Sequence, residues 1–307
     1  MRARLIVNPT ASGVSEQLIE RVVAVLSEVC DVEVAATARQ GHAAELAAAE
    51  GAEVVVAMGG DGTANEVCNG VRAGVWVGFL PAGASSVFAR HLGYPNSPLR
   101  AAEMVAEAVR AGSVRAVGLG ELEGRRFTFA AGIGLDAEVM RLVGEEREND
   151  PGRRRPGDLR VVAAAVRALR ADGLSLPVRM RVEAAGRRLP ASFVAIVNQH
   201  PYTYFGPVPV RAAPLAGFGT ALDAVVVGEL RTRDLWRLGF YTLVWPRHAT
   251  HHDSRVGYLH DISELSVTCI EPLPVQLDGE YLGRFSELSV RYVPGAITAL
   301  VPGSRAV

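Results

Sequence analysis

Residues 53–72 read EVVVAMGGDGTANEVCNGVR, and the architecture turns on this stretch. Residues 53–58 form a strand whose run from Val54 to Met58 is uninterrupted and apolar, and Gly59-Gly60-Asp61-Gly62 breaks it before a helical pattern takes over from about Thr63 to Arg72. A fully apolar strand that ends in glycines and opens a helix belongs to a parallel sheet covered on both faces, whose ligands bind at the carboxyl ends of the strands. Glycines at that point leave the backbone free to wrap an anion, with amides and a helix N-terminus supplying partial positive charge. The same four residues also suit an ordinary tight turn, so the reading needs support from the rest of the chain.

That support lies on either side. Residues 3–7 (ARLIV), 32–36 (VEVAA) and 75–80 (VWVGFL) are further strands, alternating with helical patterns over 14–29 and 42–50 and with a helix that runs through His91. Val14, Leu18, Val22, Val25, Leu26 and Val29 form the apolar stripe of the first helix. Each strand ends in polar or turn residues: Asn8-Pro9 after the first, Thr37 with Gly41-His42 after the second, Pro81-Ala82-Gly83 after the fourth. Loops recurring on one edge of a parallel sheet form a crevice suited to a nucleotide. Thr63, Asn65 and Glu66 occupy the first turns of the helix after the glycines, where Asn65 or Glu66 either reaches a ribose or caps the helix.

Beyond about residue 120 the rhythm changes to paired strands. These cover 126–131, 177–184 and 189–198 joined across Ala185-Gly186-Arg187-Arg188, then 222–228, 263–269, 273–277 and 285–293. The expected architecture is an α/β N-terminal domain with a parallel sheet over 1–120, to which the tail 294–307 returns, and a mainly antiparallel β-sandwich over 121–293. Asp278-Gly279 sits between two of the later strands and reads as a hairpin turn. The charged run from Glu145 to Asp158 reads as a mobile surface loop rather than an acidic-phospholipid or phosphate site, although its triple arginine keeps a lipid contact open. His248, His251 and His252 lack matching carboxylate or thiolate spacing and read as a polar surface stretch. Residues 232–245, with Trp236, Phe240, Leu243 and Val244 near one face, suit a core-packing helix or an interfacial contact with a bilayer.

Composition narrows the chemistry. The chain has 307 residues, enough for about two domains, with 49% hydrophobic and 21% charged residues. All 32 basic side chains are arginine, because the sequence contains no lysine. A Walker A loop, a protein-kinase strand lysine and Schiff-base chemistry are thereby excluded. A net charge of −1 argues against a nucleic-acid partner. Cys30, Cys68 and Cys269 are widely spaced and read as core thiols of a reducing compartment. The N-terminus is too short in apolar residues for a signal peptide and no run is long enough to span a bilayer, so a cytoplasmic protein is expected, in transient contact with a membrane surface. Nothing in the sequence decides oligomeric state, and a homodimer stays open.

Taken in order, Asn8-Pro9-Thr10-Ala11-Ser12-Gly13, Thr37 with Gly41-His42-Ala43, Gly59 through Gly70, Pro81-Ala82-Gly83, Phe88-Ala89-Arg90 with Leu92-Gly93, and Asp278-Gly279-Glu280 resemble the diacylglycerol kinase catalytic family. The likeness is to its bacterial soluble branch, related to sphingosine kinases and more remotely to NAD kinases and phosphofructokinases. The resemblance implies a phosphofructokinase-like first domain, a β-sandwich second domain and ATP-dependent phosphorylation of a lipid hydroxyl in the cleft between them. By motif match, Asn8, Pro9, Thr37, Gly59, Gly60, Asp61, Gly62, Thr63, Asn65, Glu66 and Gly83 would bind ATP. Asp61 would act through Mg²⁺, Glu280 would be the general base, and Asp278 would accompany it at the catalytic turn; the roles of Asp61 and Glu280 are open to exchange. The chain departs from the family pattern at Ala84, Ser86 and Val87, where many members carry Thr, Asn and Asp. It departs again over 204–207 and 219–223, which puts an accessory Mg²⁺ site in question. A catalytically weakened binding protein and a kinase of a soluble acceptor are the alternatives.

Overall fold

The apolar runs of the first third become strands buried on both faces. The computed structural model describes residues 1–83, 85–149, 158–171, 173, 175–205, 208–231, 234 and 255–302, and its chain divides into two units, Met1–Leu119 with the segment from Val293 on, and Gly120–Tyr292. The first unit contains β1 (Arg2–Val7), α1 (Glu16–Leu26), β2 (Asp31–Ala36), α2 (His42–Ala48), β3 (Val54–Gly59), α3 (Asp61–Gly70), β4 (Trp76–Pro81), α4 (Val87–His91) and α5 (Pro98–Ala111). Its sheet runs β2-β1-β3-β4 with every pair parallel, Leu5 standing opposite Val34 on one side and Val56 on the other. All six residues of β3 are buried, as a central strand between two helical layers requires. Helix α1 packs with α5, and α3 with both α2 and α4.

Local chemistry sets the helix boundaries, and in three places they differ from the expected ones. The first helix covers 16–26 rather than 14–29, because the Ser15 side chain accepts a hydrogen bond from the Leu18 amide and starts it there. The helix after the glycines begins at Asp61, two residues early: Gly60 is its extended N-cap, and an acidic residue in a first turn complements the helix dipole. Helix α5 lies between the parallel pattern and the paired strands, where the strand reading assigns no element. It opens with Pro98 in its first turn and closes at Gly112 with φ +64°, a regular start and stop.

The chain enters the second unit within β5 (Val114–Leu122) and continues through β6 (Arg125–Phe127), β7 (Ala130–Ile133), α6 (Leu135–Asn149), α7 (Asp158–Ala171) and β8 (Ser175–Leu176). Then come β9 (Met180–Ala184), β10 (Arg187–Ala191), β11 (Phe193–Val197), β12 (Thr203–Phe205), β13 (Val208–Val210), β14 (Leu222–Val227), β15 (Leu230–Arg231), β16 (Val256–Ile262), β17 (Glu264–Leu277) and β18 (Glu280–Leu300). Within this unit β16-β14-β11-β7-β17 are neighbours, with β9 and β10 branching from β17, and each of these pairs is antiparallel. Alternate residues of β17 (Leu265, Val267, Cys269) point into an apolar core with Val182, Ile196 and Val226. The last part of β18 lies in the first unit and pairs in parallel with β4, Thr298 opposite Trp76.

Three further expectations differ from the structure. Residues 263–269 and 273–277 are one strand, broken in register between Thr268 and Leu273. The turn between β9 and β10 is Ala185-Gly186 alone, both at positive φ, so Arg187 and Arg188 belong to the strand. Glu145 to Asn149 is not loop but the end of α6, where Arg141 bridges Glu138 at 2.6 Å and also pairs with Glu145 one turn on. Residues 150–157, the histidines 248, 251 and 252, the expected helix over 232–245 apart from Asp234, and Ala84, Gly206 and Pro207 lie outside the described residues. No helix among the described residues is long and apolar enough to cross a membrane. The three cysteines are buried and form no disulfide, and burial pushes the Cys269 thiol up to about 11.

Candidate functional site

The carboxyl ends of β1, β3 and β4 bring three loops together. The ladder continues past each strand: Thr37 N–H donates to Val7 C=O at 2.8 Å, Asn8 N–H to Met58 C=O at 2.9 Å, and Ala82 N–H to Gly59 C=O at 2.8 Å. Asn8 closes the first loop on itself, its Oδ1 accepting from the Thr10 amide and hydroxyl, while its Nδ2 donates to Thr63 Oγ1 at 3.3 Å. Gly13 N–H ties the same loop to Ala82 C=O at 3.0 Å. The backbones meet where side chains would not fit. A Cβ on Gly83 would stand 2.5 Å from Gly60 Cα, and one on Gly59 would stand 2.4 Å from Thr63 Oγ1. Glycine is therefore required there by close packing of the loops on one another and on Thr63. Pro9 is exposed and offers no N–H to this cradle, and Thr37 stands half-buried at the end of β2.

The acidic and amide side chains of the motif mostly face inward. Asp61 is buried; its Oδ1 accepts from Phe88 N–H and its Oδ2 from Ser85 Oγ, both at 3.1 Å. It thus clamps segment 85–88 onto the glycine loop. Glu66 does not point toward a ribose: its two oxygens accept from the amides of Gly41 at 2.9 Å and Ala43 at 3.0 Å, capping α2 from a neighbouring helix. Asn65 is buried and its Oδ1 accepts from Asn69 Nδ2 at 3.1 Å. Beside the glycine loop lies a small pocket, lined by Gly59, Gly60, Asp61 and Ser86 and walled by Phe79, Leu80 and Ala89.

The second group of motif residues sits in the other unit, on the hairpin between β17 and β18. Asp278 and Gly279 have φ of +49° and +82°, the left-handed pair of a two-residue turn, with Leu277 paired to Glu280. Asp278 is fully engaged. Its carboxylate accepts from Thr128 N–H at 2.6 Å, Thr128 Oγ1 at 2.7 Å, Phe129 N–H at 2.9 Å and Ala130 N–H at 3.0 Å. Burial raises its pKa, opposed by these donors, and the geometry makes it a positioning residue for the turn. Glu280 is the partly exposed carboxylate of the hairpin, its Oε2 held by Arg125 Nη2 at 3.0 Å. Behind the turn, Gly279 N–H donates to Gln276 Oε1 at 2.8 Å, and Gln276 Nε2 donates to Asp136 Oδ2 at 2.7 Å, which also accepts from the Tyr202 hydroxyl at 2.5 Å. Burial raises the Asp136 carboxyl despite those two bonds, and burial followed by the Asp136 charge holds Tyr202 well above its ordinary value.

Sequence reasoning did not find Ser85, Arg125, Thr128, Asp136, Tyr202 or Gln276. No spacing marks them, since Thr128 meets Asp278 across 150 residues. Among the described residues no group of three His, Cys, Asp or Glu side chains gathers to hold a metal.

Comparison with known proteins agrees with the family resemblance. Residues 2–122 match the model of the diacylglycerol kinase catalytic domain. A diacylglycerol kinase of Bacillus subtilis is 33% identical over 146 residues, covering 45% of this chain and 47% of the relative. An uncharacterised protein of Synechocystis is 24% identical over 264 residues, covering 85% of this chain and 58% of the relative. The chain thus spans about half the length of the curated relatives it matches. A crystal structure of a diacylglycerol kinase from Bacillus anthracis Sterne superimposes with a TM-score of 0.72 at 18% identity, covering 100% of this chain and 98% of the other, so the fold is shared over both units. The glycine loop, the parallel sheet beneath it and the family match coincide on one segment, and residues 2–122 are similar to the diacylglycerol kinase catalytic domain.

Proposed function

We propose that the protein is an ATP-dependent lipid kinase acting on the hydroxyl of diacylglycerol or a related lipid alcohol. The observation that carries this reading is the backbone cradle of Gly59, Gly60 and Gly83, which holds no cationic side chain and lies within the family segment. A triphosphate fits a surface of amides and a helix N-terminus without any lysine. ATP would rest there, with Asn8 and Thr63 shaping the loop and Asp61 holding segment 85–88 against it. A divalent ion bound with the nucleotide neutralises phosphate charge. Asp61 suits it only as a single protein ligand, consistent with an ion carried mainly on phosphate oxygens. Glu280, oriented by Arg125, would take the proton of the acceptor hydroxyl as its oxygen bonds to the γ-phosphorus and ADP departs. A lipid acceptor brings with it transient contact with a membrane surface.

One feature favours a second reading, a lipid- or nucleotide-binding protein with weakened turnover: Val87 is buried and offers no polar atom beside Asp61. Labelled ATP with a panel of lipid alcohols in mixed micelles separates the two. The kinase reading expects transfer to a lipid hydroxyl that disappears in Asp61→Ala and Glu280→Ala. ATP binding with no transfer to any lipid or soluble alcohol would leave the binding protein in its place.

A further inference from the structure

The hydroxyl of Ser86 is the feature that the cradle does not account for. Ser86 is 3% exposed, and its Oγ has no hydrogen-bond partner among the described residues. A hydroxyl buried without a partner loses its hydration for nothing in return, so its presence calls for an atom from outside the chain. Ser86 lines the small pocket with Gly59, Gly60 and Asp61, and its Oγ lies 3.6 Å from where a Cβ on Gly83 would be. The backbone holds it there against its own preference, with φ +45° and ψ +50°, a conformation that serine rarely adopts. Asp61 maintains that conformation through the residues on either side, accepting from Ser85 Oγ and from Phe88 N–H.

We infer that the Ser86 hydroxyl donates a hydrogen bond to a phosphoryl oxygen of the nucleotide seated on the glycine loop, which makes Ser86 a further binding residue of that site. The chemistry favours an anionic oxygen as its partner. Asp61 already accepts from two neighbours, the glycine loop presents donors, and Ser86 adds a side-chain donor to the same wall; a group with several acceptor oxygens and no protons satisfies all of them together. The apolar walls of Ala57, Phe79 and Leu80 give an adenine or ribose edge no polar partner at this spot.

The inference rests on the ATP reading above, and the test keeps the two apart. Calorimetric titration of the full chain with MgATP, and separately with adenosine, is carried out on the wild type, Ser86→Ala and Ser86→Asn. Loss of one charge-assisted hydrogen bond weakens MgATP binding about tenfold in Ser86→Ala. Adenosine affinity stays unchanged. Ser86→Asn recovers most of the loss, since asparagine tolerates the left-handed region and keeps a donor. Thermal melting guards against misfolding: Ser86→Ala removes an unsatisfied group and melts no lower than the wild type, and Ser86→Gly, freed of the strain, melts higher. Equal MgATP affinity in wild type and Ser86→Ala overturns the inference while leaving the kinase reading intact, as does an equal loss for adenosine. A wild type that binds no MgATP overturns both.

Discussion

The glycine rim of the first unit and the Asp-Gly hairpin of the second are built in opposite ways. At the rim, the surface proposed to face a ligand is main chain, and the motif side chains Asn8, Asp61 and Glu66 are spent on holding loops in place. At the hairpin, the group proposed to face a ligand is a side chain, Glu280, and buried side chains behind it, Asp278 and Gln276, fix the turn. The contrast shows that a carboxylate in a functional motif is as often a clip on the backbone as a reagent. Exposure tells them apart: Asp278 is buried among donors from Thr128, Phe129 and Ala130, while Glu280 is partly open and pairs with Arg125.

Four measurements put this contrast at risk. The largest effect is expected for Asp278→Ala, which strands three buried N–H groups and the Thr128 hydroxyl and should lower unfolding free energy by about 3–5 kcal/mol in urea titration. A loss below about 1 kcal/mol would remove Asp278 from the role of internal clip. Glu66→Ala breaks the equivalent clip at the rim, where two amides at the start of α2 lose a half-buried acceptor. A cost of about 1–2 kcal/mol is expected, together with a raised KM for ATP and little change in KM for the lipid. If Glu66 proved the more expensive of the two, the ordering by burial would fail.

The third measurement concerns Asp136, whose carboxyl is raised above its ordinary value of 3.8 by burial. A carboxyl raised in the folded state binds its proton more tightly there than in the unfolded chain. Its contribution to stability is therefore complete below about pH 3.8 and is lost as pH climbs through the folded-state value. Asp136→Asn keeps an acceptor for Tyr202 and Gln276 without that titration, so its stability relative to the wild type should improve as pH rises from about 4 to about 8 in paired urea titrations. A constant difference across that range would mean that Asp136 keeps its ordinary affinity for a proton. The smallest effect belongs to Arg125→Ala. Its ion pair with Glu280 is partly exposed on both sides and should contribute no more than about 1 kcal/mol to stability. A fall in kcat with unchanged KM for ATP would show that the pair orients Glu280; an unchanged kcat would show that the turn alone suffices.

The strands were legible because each is a local run. Residues 54–58 are apolar on both faces and can serve only as a central strand, and Asp278-Gly279 between apolar stretches has few uses besides a tight turn. Helix α5 carried readable signals at Pro98 and Gly112, and α6 carried them in its Glu138-Arg141-Glu145 spacing; the emphasis on strands hid the one and the density of charge the other. The roles inside the candidate site were legible only in part. Glycines at 59, 60 and 83 announce a backbone-lined loop, but nothing local says that Glu66 faces Gly41 and Ala43 rather than a ligand, because the amides it caps come from a different helix.

Residue type and short-range spacing were enough to establish the parallel sheet, the glycine loop at its edge, the absence of lysine chemistry and the hairpin that carries Glu280. Which polar side chains brace the fold and which stay available was settled in three dimensions. Satisfaction of buried donors and acceptors is arranged between segments 20 to 150 residues apart, as Asp61 with Ser85 and Phe88, or Asp278 with Thr128, show. The unmet hydroxyl of Ser86 becomes visible only once every other partner has been assigned.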